Sequence, residues 1–180
     1  MPEWLIFILD KIVLAVFLGL ITSGIFLLIL LCFKPNIDIS PRIARGISTK
    51  TGETVYRIKI INRTRSPLID IKAQLHIYKN YQTATGEIWK SNAIDLKRSD
   101  PIIIGKYDKK DEQSNYAYRF LTYENIYEKW GDDSSQFLRF RIFARHSVSG
   151  FGRVFFKDYR LKRNSIMEGD FSKGDTFEIV

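Results

Sequence analysis

Three arginines and two phenylalanines share one face of a predicted strand and could bind a phosphate-bearing ligand. Residues 137–146 alternate between apolar and other side chains, which is typical of a half-buried strand. The face predicted to point into the core consists of Leu138, Phe140, Ile142 and Ala144. The opposite face consists of Arg139, Arg141, Arg145, Phe137 and Phe143. Because a planar guanidinium group suits phosphate and aromatic rings can stack on bases, this face predicts a site for a nucleotide-like anion or a lipid headgroup.

An alternative interpretation of the same arginines is structural. Arginines on a strand can form ion pairs with acidic residues of neighbouring strands, and Asp70 and Asp158 lie in other predicted strands. Arg153 and Lys157, on the next predicted strand, could extend either arrangement. The sequence therefore leaves open a ladder of ion pairs, or a ligand site that contains Arg139, Arg141, Phe143, Arg145 and Arg153.

No group of residues in the sequence predicts catalysis or a bound metal ion. His76 and His146 lie in different predicted strands, and the single cysteine lies in an apolar segment, so the usual zinc ligands are missing. Ser147 and Ser149 closely follow His146, but neighbours along one strand point apart and do not form a catalytic triad. The sequence also contains no glycine-rich phosphate loop. We therefore predict a protein that is not an enzyme and uses no cofactor and no metal.

A membrane segment is the first element that must position this face. Residues 12–33 carry no charge, and at 1.5 Å per residue they span about 33 Å, close to the hydrocarbon thickness of a bilayer. The run is too long for a cleaved signal peptide, and it lacks a basic upstream flank and a small-residue cleavage site. We therefore predict that residues 1–34 form one retained membrane-spanning helix with an interfacial start at Trp4.

Small residues recur along one side of the membrane segment. Ala15, Gly19 and Ser23 are spaced four residues apart, so they share one face of a helix. Such faces allow helices to pack closely against each other. The pattern predicts that the helix self-associates into a homo-oligomer. The alternative is that these residues pack against no other helix.

Charges on either side of the membrane segment predict its orientation. Basic residues follow it at Lys34, Arg42, Arg45 and Lys50. On the other side, Lys11 is accompanied by Glu3 and Asp10. By the positive-inside rule, we expect the C-terminal domain in the cytoplasm, with the helix in a bacterial inner membrane.

The charge of the chain bears on its partners. The formal net charge is +8, and it becomes about +9 when Glu3, Asp10 and Lys11 are set aside. We expect such a basic domain to contact anionic membrane lipid. An anionic small molecule and a protein partner are further possibilities, and nucleic acid is a less favoured one.

Turn signals divide the rest of the chain into a linker and one domain. Pro35 and Pro41 bracket a segment that cannot continue the helix, and we interpret residues 35–50 as a linker that can include an edge strand. Residues 51–180 contain short alternating runs separated by turn formers, which predicts a mainly β domain, an immunoglobulin-like β-sandwich. One such run places Tyr56, Ile58 and Ile60 opposite Arg57 and Lys59. Another has a predicted core face of Ile69, Ile71, Ala73, Leu75 and Ile77.

Several strand-and-turn segments resemble the cytoplasmic immunoglobulin-like domain of prokaryotic inward-rectifier potassium channels. In chain order these segments are YRIKIINR at 56–63, the strand at 69–78, AIDLKR at 93–98, and ARHS at 144–147 with Phe171. The resemblance implies a similar sandwich over residues 50–180. The sequence contains no second membrane helix, no pore helix and no Thr-Val-Gly-Tyr-Gly filter, so the resemblance does not imply potassium selectivity.

Together these features predict a non-catalytic, oligomeric membrane protein. We expect its cytoplasmic β-sandwich to bind an anionic ligand or a protein partner and to control a bundle of membrane helices. A bacterial stress or defence effector that perturbs the membrane would have this architecture. The alternative is a membrane-tethered scaffold subunit of a larger complex.

Overall fold

A computed structural model of the chain describes residues 2–131 and 135–180, and of residues 3–6, 8 and 9 it describes the backbone alone. The side chain of Trp4, the predicted interfacial anchor, thus lies outside the described residues. In chain order, the elements are α1 (Glu3–Cys32), β1 (Ile37–Ile39), β2 (Ile43–Ile47), β3 (Thr54–Asn62), β4 (Leu68–Thr83), β5 (Gly86–Ile94), β6 (Ile103–Ile104), β7 (Ala117–Thr122), α2 (Ile126–Lys129), β8 (Gln136–His146), β9 (Gly152–Tyr159), α3 (Lys162–Ser165) and β10 (Ile166–Glu168).

The N-terminal helix α1 carries the predicted membrane segment. Within it, Asp10–Cys32 is long and apolar enough to cross a bilayer. Its described side chains are exposed almost all round, as expected of a helix that would contact lipid. The predicted apolar helix is therefore confirmed, whereas its orientation and its retention in the mature protein stay predictions.

Two sheets of five strands each follow the helix. In sheet A, β3 pairs with β7 on one edge and with β1 and β2 on the other, and β10 pairs in parallel with β2. In sheet B, β4 lies between β8 and the pair β5 and β6, and β9 extends the sheet beyond β8. The prediction of a mainly β domain is confirmed, and the two sheets fit a sandwich.

An apolar core lies between the sheets, because the central strands alternate as their sequences predict. Tyr56, Ile58 and Ile60 of β3 point into it, and Phe120 of β7 packs against Phe140 of β8 with ring centroids 5.4 Å apart. All four predicted core residues of β8 are 0% exposed. Burial of these four residues determines which side of β8 faces outward.

The predicted linker at residues 35–50 contains two strands of sheet A. β1 and β2 pair with consecutive parts of β3, from Ile37 opposite Asn62 to Ile47 opposite Thr54. Ile43 and Ala44 are 0% exposed. Residues 33–36 alone connect α1 to the first strand, so the sandwich begins closer to the membrane helix than predicted.

A β-bulge changes the predicted pattern at the start of β4. The pairing of β4 with β8 shifts register between Ile69 and Lys72, and Asp70 has a φ of 50°. Leu68 rather than Ile69 therefore joins Ile71 in the core. A bulge inserts an extra residue that reverses the alternation locally, which a strict period of two does not predict.

The C-terminal segment covers part of the outer face of sheet A, where Lys59 is 1% exposed. The Lys59 ammonium donates hydrogen bonds of 2.8 Å to the carbonyl oxygens of Ser172, Gly174 and Thr176. Burial and the nearby charge of Arg119 lower the pKa of Lys59 to about 8. A side chain predicted on the polar face of β3 is thus the anchor of the chain's last ten residues.

Replacing this anchor should release the C-terminal segment. In Lys59→Met, three half-buried carbonyl oxygens lose their donor, which we expect to lower the free energy of unfolding by about 1–3 kcal/mol. Hydrogen exchange should become faster at the amides of Asp170, Ser172 and Val180, which are bonded within the segment. Exposed Lys72→Met is the matched control. Unchanged exchange in Lys59→Met would show that the anchor is not needed.

Candidate functional site

The outer surface of sheet B carries the arginines that the sequence singles out. Strand register places Arg139 opposite Asp158, Arg141 opposite Phe156 and Phe143 opposite Val154, and on the other side of β8 it places Phe137 opposite Tyr78. We call this surface the arginine–aromatic face. It consists of Tyr78, Phe137, Arg139, Arg141, Phe143, Val154, Phe156 and Asp158.

Arg139 is the centre of this face and is already neutralised. Its Nε and Nη2 donate to the two carboxylate oxygens of Asp158 at 2.6 and 2.7 Å. The hydrogen bonds to Asp158 raise the pKa of Arg139 above its ordinary value. Its guanidinium carbon also lies 5.1–5.3 Å from the ring centroids of Tyr78, Phe137 and Phe156. A guanidinium in a two-point ion pair and between aromatic rings is rigid and has little capacity left for a second anion.

The other predicted ligand residues are spread along the sheet. Arg145 is bound to Asp70 at 2.9 Å at the bulged end of β4, so two of the three arginines form the ion pairs that the structural alternative anticipates. Within the described residues, no carboxylate lies within 4.0 Å of Arg141. Arg153 shares the side of β9 that faces Ala144, and its guanidinium lies 5.0 Å from the Phe155 ring. The structure thus brings Arg139, Arg141 and Phe143 together and leaves Arg153 outside the face.

An aromatic pocket of about 490 Å³ extends the face toward the β4–β5 hairpin. Tyr78 stacks on Phe137 at 5.1 Å, and Trp89 meets Phe137 edge-on at 5.4 Å. The pocket is lined by Tyr78, Trp89, Gln136, Phe137, Arg139, Asp158 and Arg160. The sequence did not predict Trp89 as part of a site, because β5 is exposed on both sides and shows no alternation of apolar and polar residues. A tryptophan in such a polar hairpin was the feature of the sequence that could have indicated a site here.

The opposite end of the same strands contacts Phe33, the residue that follows α1. Ser149, in the turn between β8 and β9, donates a hydrogen bond of 2.5 Å to the carbonyl oxygen of Phe33. The Phe33 ring lies 5.8 Å from the imidazole of His146, the last residue of β8. The strands that display the arginine–aromatic face are therefore in direct contact with the residue that follows α1.

His146 organises this junction as a hydrogen-bond acceptor. Its Nδ1 accepts the backbone N–H groups of Val148 and Ser149 at 3.3 Å each, and the residue is 2% exposed. Burial lowers the pKa of His146 below its ordinary value of 6.5. Protonation of Nδ1 would abolish both acceptor bonds, so the neutral imidazole is the form that holds the turn.

Comparison with protein-family models and with curated protein sequences finds no match to this chain. The resemblance to inward-rectifier channel domains consequently stays a prediction. The described residues define a class of architecture, an N-terminal apolar helix joined by a short connection to a β domain with two five-stranded sheets. Function is inferred from this geometry alone.

The junction should weaken in acid. Because the folded-state pKa of His146 lies below 6.5, the unfolded chain takes up this proton first as the pH falls, and the free energy of unfolding decreases. Stability from this group is complete above the ordinary pKa and is lost as the pH falls below it. His146→Asn keeps a side-chain acceptor but does not titrate. Between about pH 7.5 and about pH 5.5, the wild-type protein in detergent should therefore lose more thermal stability than His146→Asn. Equal losses in both proteins would contradict this role.

Proposed function

We propose that this chain is a non-enzymatic, single-pass membrane protein whose cytoplasmic sandwich binds a partner and transmits binding to a self-associating helix. The proposal rests on the position of β8 and β9, which connect the arginine–aromatic face to the residue that follows α1. These strands display the arginine–aromatic face, and their connecting turn holds Phe33 through Ser149 and His146. A rearrangement of the strands would therefore act on the end of α1 through two packed contacts.

The chemistry of the face favours a protein partner over a small anion. Val154 and Phe156 are 52% and 63% exposed although they lie side by side on β9, next to Arg141, which has no carboxylate within 4.0 Å in the described part of the chain. Exposed aromatic side chains beside arginine are typical of the centres of protein interfaces. The carboxylate of Asp158 occupies Arg139, so a small anion would have to displace it.

The helix supplies the second half of the proposal. Ala15, Gly19 and Ser23 are exposed in the single chain, and a Cβ placed on Gly19 or on Gly24 would meet no atom within 4 Å. Larger side chains at either glycine therefore leave the monomer undisturbed. In an oligomer, larger side chains at these two positions would have different effects, because positions 19 and 24 point about 140° apart around a helix.

Self-association should depend on Gly19 and not on Gly24. The single cysteine, Cys32, lies exposed at the end of α1 and can report on neighbouring helices. In native membranes, a short bis-maleimide should join wild-type chains at Cys32, and Gly19→Leu should reduce the yield by about tenfold because close backbone approach is lost. Gly24→Leu is the matched control and should react like the wild type. Equal yields in both variants would show that the small-residue face is not needed for self-association and would contradict this part of the proposal.

Partner binding should depend on the arginine–aromatic face. Phe156→Asp places a charge on the exposed aromatic part of this face, and we expect it to reduce at least tenfold the recovery of a stoichiometric protein partner with the full chain. Ile47→Asp, at a 71% exposed position on sheet A, is the control. Loss of the partner should also change Cys32 cross-linking. If the partner is lost while cross-linking stays constant, the chain is a scaffold that tethers its partner without signalling. If no stoichiometric partner is recovered with the wild type, the proposal fails.

A further inference from the structure

A second basic surface lies on sheet A, on the side of the sandwich opposite the arginine–aromatic face. It is a pocket of about 370 Å³ beside β3 and β7. We call it the basic basin, and its cationic side chains are Lys50, Arg57, Lys97, Arg98 and Arg119. The sequence does not predict this site, because its residues come from four separate segments of the chain. We propose that the basic basin binds a soluble small molecule that carries a phosphate or pyrophosphate group.

The first argument is the incomplete pairing of Arg57. Its side chain is 14% exposed, and its Nη1 is buried with no hydrogen-bond partner among the described residues. The nearest carboxylate, Asp170, lies 3.7 Å from Arg57 and 4.0 Å from Arg119, so one acidic group serves two arginines at long distance. A buried guanidinium nitrogen without an acceptor is costly. Arg57 lines the basin, so an anion there would lie beside a guanidinium whose charge is poorly compensated.

The second argument is the excess of positive charge at the rim of the basin. Within residues 2–131 and 135–180, no carboxylate lies within 4.0 Å of the charged groups of Lys50, Lys97 or Arg98. Glu53 acts electrostatically on Tyr123 and Asp100 acts on Tyr118, both of which line the basin, and Asp170 is the third nearby carboxylate. Five cationic groups therefore face three carboxylates, and the basin retains a net positive charge.

The third argument is that the rim is held in place. The backbone N–H of Lys97 donates to the carbonyl oxygen of Leu121 at 2.8 Å, which fixes this segment to the edge of β7. The Lys97 ammonium lies 5.1 Å from the Tyr123 ring. Arg98 has a φ of 59°, a left-handed conformation that is uncommon for residues other than glycine. Prearranged cations lower the entropic cost of binding an anion.

The composition and location of the basin specify the ligand class. Guanidinium groups suit the oxygens of phosphate, lysines add charge, and the volume falls at the small end of ligand pockets. Val55, in the basin, lies seven residues along β3 from Asn62, about 23 Å at 3.3 Å per residue. The next residue, Arg63, donates to the carbonyl oxygen of Asn36 beside the end of α1. Arg119 and Tyr118, which also line the basin, pair with Lys59 and Ile60 nearer to Asn62, whereas the Val55 end lies farther from α1 and favours a soluble ligand.

Titration with inorganic pyrophosphate tests this site in the full chain. The protein is reconstituted in phosphatidylcholine nanodiscs, and binding is measured by isothermal titration calorimetry. We expect one saturable site, and the variant Lys97→Gln with Arg98→Asn should bind at least tenfold more weakly. Asparagine tolerates the left-handed backbone at position 98, so this variant should keep its fold. The absence of saturable binding by the wild type would overturn the proposal.

Two controls distinguish binding at this site from non-specific electrostatic attraction and from binding of lipid headgroups. Arg65→Gln with Lys110→Gln removes two exposed positive charges elsewhere and should bind pyrophosphate like the wild type. An equal loss of affinity in both double variants would overturn the proposal. In nanodiscs that contain phosphatidylglycerol, the affinity for pyrophosphate should not change if the basin takes a soluble ligand and not a headgroup. Competition by the anionic lipid would assign the basin to headgroups and would overturn a soluble ligand.

Discussion

The apolar core between the two sheets decides which side chains this domain can present. Consecutive residues of a strand point to opposite faces, so burial of Tyr56 and Phe120 directs Arg57 and Arg119 outward on one side. Burial of Phe140 directs Arg139 and Arg141 outward on the other side. Two basic surfaces therefore share one core and face away from each other. A change in the packing of that core would alter the positions of the side chains on both surfaces.

The two surfaces differ in how their charges are compensated. On sheet B, Arg139 and Arg145 are paired with Asp158 and Asp70 at ordinary ion-pair distances. On sheet A, Arg57 and Arg119 share Asp170 at the limit of an ion pair. The first arrangement gives a rigid surface with exposed aromatic rings, and the second leaves two arginines whose charge one distant carboxylate compensates only in part. The chemistry of a site depends here on its counter-charges more than on the number of arginines.

Local periodicity was sufficient to predict the elements whose partners are close in sequence or whose pattern is strong. The core face of β8, the apolar helix and the mainly β domain follow from alternation and from the length of the apolar run. The bulge at Asp70, the role of Lys59 and the strands within residues 35–50 depend on pairing between distant segments, which a single sequence does not specify. The same is true of the arginines. Asp70 and Asp158 could be named as partners from the sequence, but the choice between ion pairs and a ligand site required the register of β4, β8 and β9.

The short connection after α1 has a geometric consequence for any assembly of these chains. Residues 33–36 cover at most about 14 Å when extended, and Ser149 further restrains them at Phe33. A domain of this size has a radius of gyration of about 15 Å, whereas packed helices lie 8–10 Å apart. Helices at that spacing would press their β domains against one another, since the tether is too short to let them spread. Crowding beneath the bilayer would then limit how many copies fit around one axis.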